Sequence, residues 1–385
     1  MNILIFSTAY LPFIGGAELA IKEITERLPD RSFSLITACM RHGVPPRERI
    51  GNVEVYRVGF GTRFDKWLLP WLGLRKAKQL EKEKHFEVMW SMMASQASIP
   101  ATWFKKLHPS KRLVLTLQEG DEEAHLKRYV FGNEFLYKLL IHPWYVGVFR
   151  QADVITAISN YLAKRAQRHS SARVEVIPNG VDLNSFQLLG SSFQGREDLR
   201  KRLGLRDDDR VIITTSRLVK KNGIADLIQS LQYLPEQIKL LIVGGGELEQ
   251  QLRLETRSLK LEARVKFLGF VAHAELPSYL HASDVFCRPS LSEGMGSSFI
   301  EAMAAGLPVI ATPVGGIPDF LSDGETGLFC EVNNPKSIAE KVKLLFSDND
   351  LRRRIVANAS QLVREKYRWD MIAKQMGEVF QQTKT

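Results

Sequence analysis

A chain of 385 residues is too long for one ordinary core and suits two domains of roughly 180 residues each. Apolar residues make up 44% and charged residues 25%, a globular balance that excludes collagen-like and wholly disordered chains. The net charge of +10 favours an anionic partner, a membrane surface or a nucleic acid, because a positive field attracts phosphates at long range.

The opening MNILIFSTAYLPFIGG has a short apolar run without a basic leading region or a small-residue cleavage site, so it reads as a first strand rather than a signal peptide. ELAIKEITERL follows at helical spacing, then FSLITAC, and later RLVLTL and VITAIS. Apolar runs alternating with amphipathic stretches predict β-α-β units and a parallel sheet. Between them KWLLPWLGLRKAKQLEKEK mixes tryptophan and leucine with many cations; it reads either as a surface helix whose tryptophans pack inward or as a segment on a membrane interface. After VEVIPNGVDLNSF a polar segment from Leu188 to Asp209 breaks the rhythm, and the domain junction is expected there. The rhythm restarts with VIITTS, IADLIQSLQYL, IKLLIVGGG, VKFLGFV, DVFCRPS and PVIATPVGG. The fold class is thus α/β, with two Rossmann-like parallel-sheet domains expected at 1–188 and 205–365. Residues 366–385 carry Trp369, Ile372, Ala373, Met376 and Phe380 at helical spacing, and periodicity alone allows a helix that caps the second domain or one that crosses back to the first. Cys39, Cys287 and Cys330 form no C-x-x-C pair and have no histidine grouping, so neither a zinc site nor a disulfide framework is signalled and a reducing cytoplasm is the simplest location. No segment approaches the ~18 uninterrupted apolar residues of a membrane span, so a soluble or peripheral protein is expected.

The most informative run is PSLSEGMGSSFIEAMAAGLPVIATPVGG, in which seven residues separate Glu293 from Glu301. A glycine-rich loop entering a helix brings unpaired N–H groups up to a phosphate. Here Ser297, Ser298, Phe299 and Ile300 would supply them. Glu301 would then accept hydrogen bonds from a ribose diol, or else serve only as a favourable charge near the helix start. In TTSRLVKKNGIADL, Arg217 and a lysine pair follow a strand end, where open α/β sheets bind ligands. The arginine fork suits a diphosphate, although a basic loop taken alone is commonly a solvated surface. The glycines of Ile14-Gly15-Gly16 and Gly244-Gly245-Gly246 lie where backbone approaches a phosphate or simply turns tightly. No recognition helix, zinc finger or aromatic RNA-binding signature is present, so no nucleic-acid partner is expected.

In this order and nearly end to end, PFIGGAE, VIPNGVDLNSF, SRLVKKNG, VGGGE, FLGFV, the paired glutamates and WDMIAKQ closely resemble the GT-B glycosyltransferases commonly called family four. The resemblance implies two Rossmann-like domains facing across a cleft, with the last helix returning to the first domain. It implies a retaining, metal-independent hexosyl transfer, with no cofactor, from a UDP- or GDP-sugar to a glycan, lipid-linked or small-molecule acceptor. Arg217 and a neighbouring lysine would hold the diphosphate and Glu301 the ribose. Glu293 with Gly294, Met295 and Gly296 would contact the transferred sugar, Phe270 and Val271 would border the base, and Gly16 would lie near the phosphates.

Two positions depart from the family pattern. Asn222 stands where a diphosphate-binding lysine is usual, leaving Lys221 to substitute from the same turn. Gln118-Glu119-Gly120-Asp121 follows RLVLTL where many relatives carry a histidine near the donor sugar and acceptor. Gln118 cannot be a general base, whereas Glu119 or Asp121 can take a proton or orient an acceptor hydroxyl. The expected mechanism is electrostatic stabilisation of the departing diphosphate, with the acceptor on the first domain, in the cytoplasm or at the inner face of an anionic membrane. The alternative is a nucleotide-sugar-binding scaffold of the same fold that has lost transfer.

Overall fold

The computed structural model describes residues 1–13, 15–118, 132–188 and 193–382. The chain forms two compact units, Met1–Asn179 with Trp369–Thr385, and Gly180–Arg368.

The first unit runs β1 (Asn2–Phe6), α1 (Gly16–Glu26), β2 (Ser32–Ala38), β3 (Arg47–Ile50), β4 (Val53–Val58), α2 (Asp65–Lys84), β5 (Val88–Met92), α3 (Ser98–Leu107) and β6 (Arg112–Leu117). A short α4 (Glu134–Leu136) then leads through a π-helical turn into α5 (His142–Gln151), β7 (Val154–Ala157), α6 (Asn160–His169) and β8 (Arg173–Val176). The second unit contains α7 (Leu183–Leu188), α8 (Phe193–Arg202), β9 (Arg210–Thr215), α9 (Ile224–Ser230), β10 (Ile238–Val243), α10 (Glu249–Ser258), β11 (Val265–Gly269) and α11 (Leu276–His281). It continues through β12 (Val285–Arg288), α12 (Ser297–Ala304), β13 (Val309–Ala311), β14 (Leu328–Phe329), α13 (Pro335–Ser347) and α14 (Asn349–Lys366), after which α15 (Trp369–Gln381) closes the first unit.

The first sheet has the order β3-β4-β2-β1-β5-β6-β7-β8, parallel except where β3 runs against β4. Strands β5 and β6 are buried throughout, as helices on both faces of a parallel sheet require. One face packs α1 and α15 over Ile3, Ile5, Trp90 and Val114; the other packs α2 and α3 over Leu4, Phe6, Met89 and Leu113. The edge strand β3 reads RERI, which offers a pattern search no apolar alternation. Helix α15 is fastened at its carboxyl end. Arg31 Nη1 donates to the Gly377 carbonyl (2.8 Å), Arg112 Nη1 donates to those of Val379 (3.0 Å) and Phe380 (3.2 Å), and Phe380 meets Trp90 edge-on at 5.2 Å. The carbonyls of Val379 and Phe380, which have no partner within the helix, thereby gain a cationic donor.

The second sheet is wholly parallel in the order β11-β10-β9-β12-β13-β14, with a separate apolar core under α9, α10 and α13. The passage between units falls at Asn179 and Gly180, earlier than the junction expected after 188. The cause is Phe186: its side chain is buried, its ring meets His273 at 5.7 Å, and its carbonyl accepts from His281 Nε2 at 2.7 Å, so α7 belongs to the second unit. The polar stretch read as a break contains α8, which is anchored by the buried Leu199 and by arginines. Arg196 pairs with Asp284 (2.9 Å) and Arg200 donates to the carbonyls of Ala282 (2.9 Å) and Asp209 (2.7 Å).

Candidate active site

In the second unit, β10 and β11 lie on one side of β9 and β12 on the other, so the winding direction reverses between β9 and β12. Ligands of open α/β sheets bind outside the carboxyl ends of strands at such a switch point. The loop after β9 holds Arg217, Lys220, Lys221 and Asn222, and the loop after β12 holds Glu293, Gly294, Met295 and Gly296.

These loops are built against each other. Leu291 N donates to the Lys221 carbonyl (2.7 Å). At Gly223, φ is +68° and a Cβ would lie 2.0 Å from the Pro289 carbonyl oxygen, so only glycine fits this approach. Gly315 does the same for the Glu293 carbonyl, which a Cβ would reach at 1.8 Å. Arg217 is exposed and its guanidinium has no partner among the described residues. Asn222 is buried and its Nδ2 donates to the Arg217 carbonyl (2.6 Å), so this side chain closes the turn, while the half-buried Lys221 shares the same 3-10 turn. The Gly244–Gly246 run packs onto the backbone of Ser216 and Leu218, a tight loop-on-loop contact.

The paired glutamates are held by residues outside the motif. Arg288, at the end of β12, donates through Nη2 to Glu293 Oε2 (2.5 Å) and through Nη1 to Ser298 Oγ (2.7 Å) and the Thr215 carbonyl (3.3 Å). Its guanidinium lies 4.3 Å from the Phe299 ring centroid. Glu301 is buried within the first turns of α12, and His273 Nε2 donates to its Oε1 (3.0 Å). Arg288 and His273 escaped the sequence reading. The available signal for Arg288 was a lone cation within the apolar run DVFCRPS, since a buried charge needs a partner.

Helix α12 starts at Gly296, at φ +89°, with no side-chain cap, which leaves the Ser297 and Ser298 amides at an uncapped helix start. Phe299 departs from expectation: its amide donates to the Gly296 carbonyl (3.0 Å) and its ring is buried, so it serves the core. Met295 is likewise buried, and the Gly294 amide donates to Glu293 Oε1 (3.2 Å). Phe270, just past β11, is 79% exposed, with half-buried Val271 beside it. The Cys287 and Cys330 thiols are core groups; burial pushes the Cys330 thiol up to about 12 and raises that of Cys287 well above the usual range.

In the first unit, Gly16 opens α1 and Asn179 lies beside it. Gln118 is tied to Asn179 by reciprocal amide bonds, Gln118 Nε2 donating to Oδ1 (2.9 Å) and Asn179 Nδ2 donating back to Oε1 (2.7 Å). Glu119 and Asp121 lie outside the described residues.

A family model described as Glycosyltransferase Family 4 matches residues 14–185, and one described as Glycosyl transferases group 1 matches residues 195–362. An uncharacterized glycosyltransferase of Methanocaldococcus jannaschii is 32% identical across 99% of this chain and 98% of its own. The chain belongs to the group 1 glycosyltransferases. This glycosyltransferase is also 32% identical, over 76% of its length and 78% of the relative's, to a GDP-mannose-dependent alpha-(1-6)-phosphatidylinositol monomannoside mannosyltransferase of Mycobacterium tuberculosis. The crystal structure of Anabaena HepE in complex with UDP-glucose superposes with a TM-score of 0.80 over 98% of this chain and 99% of that one, at 23% identity, which establishes the shared GT-B fold.

Proposed function

We propose that this glycosyltransferase moves a hexosyl unit from a UDP- or GDP-sugar to a carbohydrate or lipid-linked acceptor, with retention at the transferred carbon and without a metal or other cofactor. The observation that carries the proposal is the switch-point constellation: an exposed Arg217 whose guanidinium has no partner among the described residues, the uncapped start of α12, and the buried Glu301 within the same helix. Bond cleavage to a nucleoside diphosphate puts negative charge on the leaving oxygen. Arg217, Lys221 and the amides of Ser297 and Ser298 are the groups able to stabilise it, and preorganised donors of this kind act most strongly out of water. Glu301, oriented by His273, suits a ribose diol; Glu293 and the Gly294–Gly296 backbone suit the sugar; the exposed Phe270 ring suits a base face. The GDP-mannose dependence named for the mycobacterial relative and the UDP-glucose complex of the Anabaena protein support the two bases retained as candidates.

The test is thermal unfolding in chelator with UDP, GDP, ADP and their sugar conjugates, on the wild type and on Arg217→Ala and Glu301→Ala. A ligand that binds the native state raises Tm, by about 2.7 kcal/mol of stabilisation at a hundredfold excess over Kd. One nucleotide is expected to raise Tm in the wild type and fail to do so in both variants; absence of any shift at high nucleotide concentration would refute the site. The anomeric proton signal of the first product then reads retention or inversion.

A further inference from the structure

Helix α2 is apolar on two sides. Leu69, Ala77 and Leu80 face the core of the first unit, yet Phe64, Trp67 and Trp71, spaced at about one helical turn, point outward. Phe64 is 76% and Trp71 64% exposed. The tryptophans of this segment therefore do not all pack inward. The outward side continues across two further helices, since Trp71 meets Trp103 of α3 at 6.2 Å and Trp103 meets Trp144 of α5 at 5.5 Å. Trp144 is 48% exposed, and Phe135 and Leu139 just before α5 are exposed as well. Contiguous apolar surface drawn from several elements is uncommon on a protein that works free in water.

Among the described residues, cations flank the tryptophans of this surface. Arg75 and Lys78 lie exposed one and two turns beyond Trp71, and Lys106 is exposed at the end of α3. Asp65, the acidic residue of the α2 start, is buried, and Glu134 is 3.7 Å from Lys138. Tryptophan and phenylalanine bordered by lysine and arginine match a bilayer interface, where aromatic rings sit at the headgroup level and cations meet anionic lipid. A second copy would set the same cations against one another.

We propose that the outward faces of α2, α3 and α5 form a docking surface for an anionic lipid bilayer. Helices that follow parallel strands begin at the carboxyl edge of the sheet, so Phe64 and Trp67 lie at the edge where open sheets receive ligands. Docking there brings that edge of the first unit to the lipid headgroups. This surface is independent of the donor site in the second unit, and the two assignments fail separately.

The experiment is co-sedimentation of the full chain with vesicles of phosphatidylcholine alone and of phosphatidylcholine mixed with phosphatidylglycerol. It is paired with quenching of tryptophan fluorescence by lipids brominated in the upper acyl chain. The wild type is expected to sediment with the anionic vesicles, to be released by high salt and to be quenched. Trp71→Ala with Trp144→Ala should lower partitioning roughly a hundredfold, at about tenfold for each ring removed from the interface. Arg75→Glu with Lys78→Glu should abolish it, and a wild-type far-ultraviolet circular dichroism spectrum and Tm in each variant certify folding. Failure of the wild type to bind anionic vesicles overturns the proposal, as does equal binding by the tryptophan variant. So does concentration-dependent dimerisation that these substitutions abolish without any vesicle binding, which would make the surface an interface between copies.

Discussion

Arg288 is 6% exposed, and so buried a charge persists only where an opposite charge and hydrogen bonds replace its water. Glu293, Ser298 and the Thr215 carbonyl supply them. Removing the guanidinium leaves Glu293 unpaired. Because the Glu293 side chain keeps 16% of its surface, the loss should fall at or below the low end of the ~3–5 kcal/mol typical of broken buried pairs. Arg288→Met is therefore expected to lower stability by about 2–3 kcal/mol and kcat by roughly a hundredfold, the scale set by a small misplacement of a group beside the substrate. Arg288→Lys should recover part of the stability but little of kcat, since an ammonium cannot reproduce the fork. Urea unfolding and steady-state rates at saturating donor measure both, and a normal kcat in Arg288→Met would remove the residue from any positioning role. Spacing in the sequence pointed to Glu293, Glu301 and Arg217 because a loop between strand and helix fixes where their backbones lie. It could not point to Arg288, or to Asn222 as the residue that closes the turn, because those roles depend on which side chain turns inward.

Between β4 and α2 the chain is held by one carboxylate. Asp65 Oδ2 accepts from the amides of Phe60 (2.7 Å), Gly61 (2.7 Å) and Thr62 (3.1 Å), and Oδ1 accepts from the Thr62 hydroxyl (3.0 Å). Burial alone would raise its pKa, but these donors favour the ionised form and hold it below the usual carboxylate range. A depressed native pKa contributes stability that is fully present above the unfolded value of about 3.9 and is lost as pH falls through the native one. Asp65→Asn should thus cost about 1.5–3 kcal/mol at neutral pH, as for hydrogen bonds to a charged group, and the gap to wild type should narrow as pH drops below about 4. A gap that is flat with pH would show that Asp65 acts by shape alone. The same substitution should weaken vesicle binding, because this loop carries Phe60 and leads into Phe64. At this scale the β-α-β rhythm of both halves was legible, since strands buried on both faces read as apolar runs. The edge strand RERI and α8 were not, because in each an isolated apolar residue, Ile50 and Leu199, sits among charges and gives no period to read.

Over the whole molecule, the two units keep separate apolar cores, and the last helix spends its apolar face on the first. Trp369, Ile372, Met376, Val379 and Phe380 of α15 all belong to the core that contains β1 and β5. That allegiance was open from periodicity, which shows that a face is apolar but not which sheet it covers; the arginines Arg31 and Arg112 that cap its carbonyls are distant in sequence and match no local pattern. The chain thus enters the second unit at Gly180 and returns at Trp369, and α15 is a structural part of the fold begun at Met1. Phe380 is the strongest single test. It is buried between Trp90 and the Arg31 guanidinium, and truncating a buried phenylalanine costs about 3–5 kcal/mol through lost transfer energy and a residual cavity. In Phe380→Ala, amide hydrogen exchange should quicken in β1, β5 and α1 while the amides of β9, β10 and β12 keep wild-type protection, since sub-global opening follows the unit whose core is damaged. Equal acceleration in both sheets would mean that the two cores unfold as one cooperative body, and the last helix would then stabilise the second unit as much as the one it packs against.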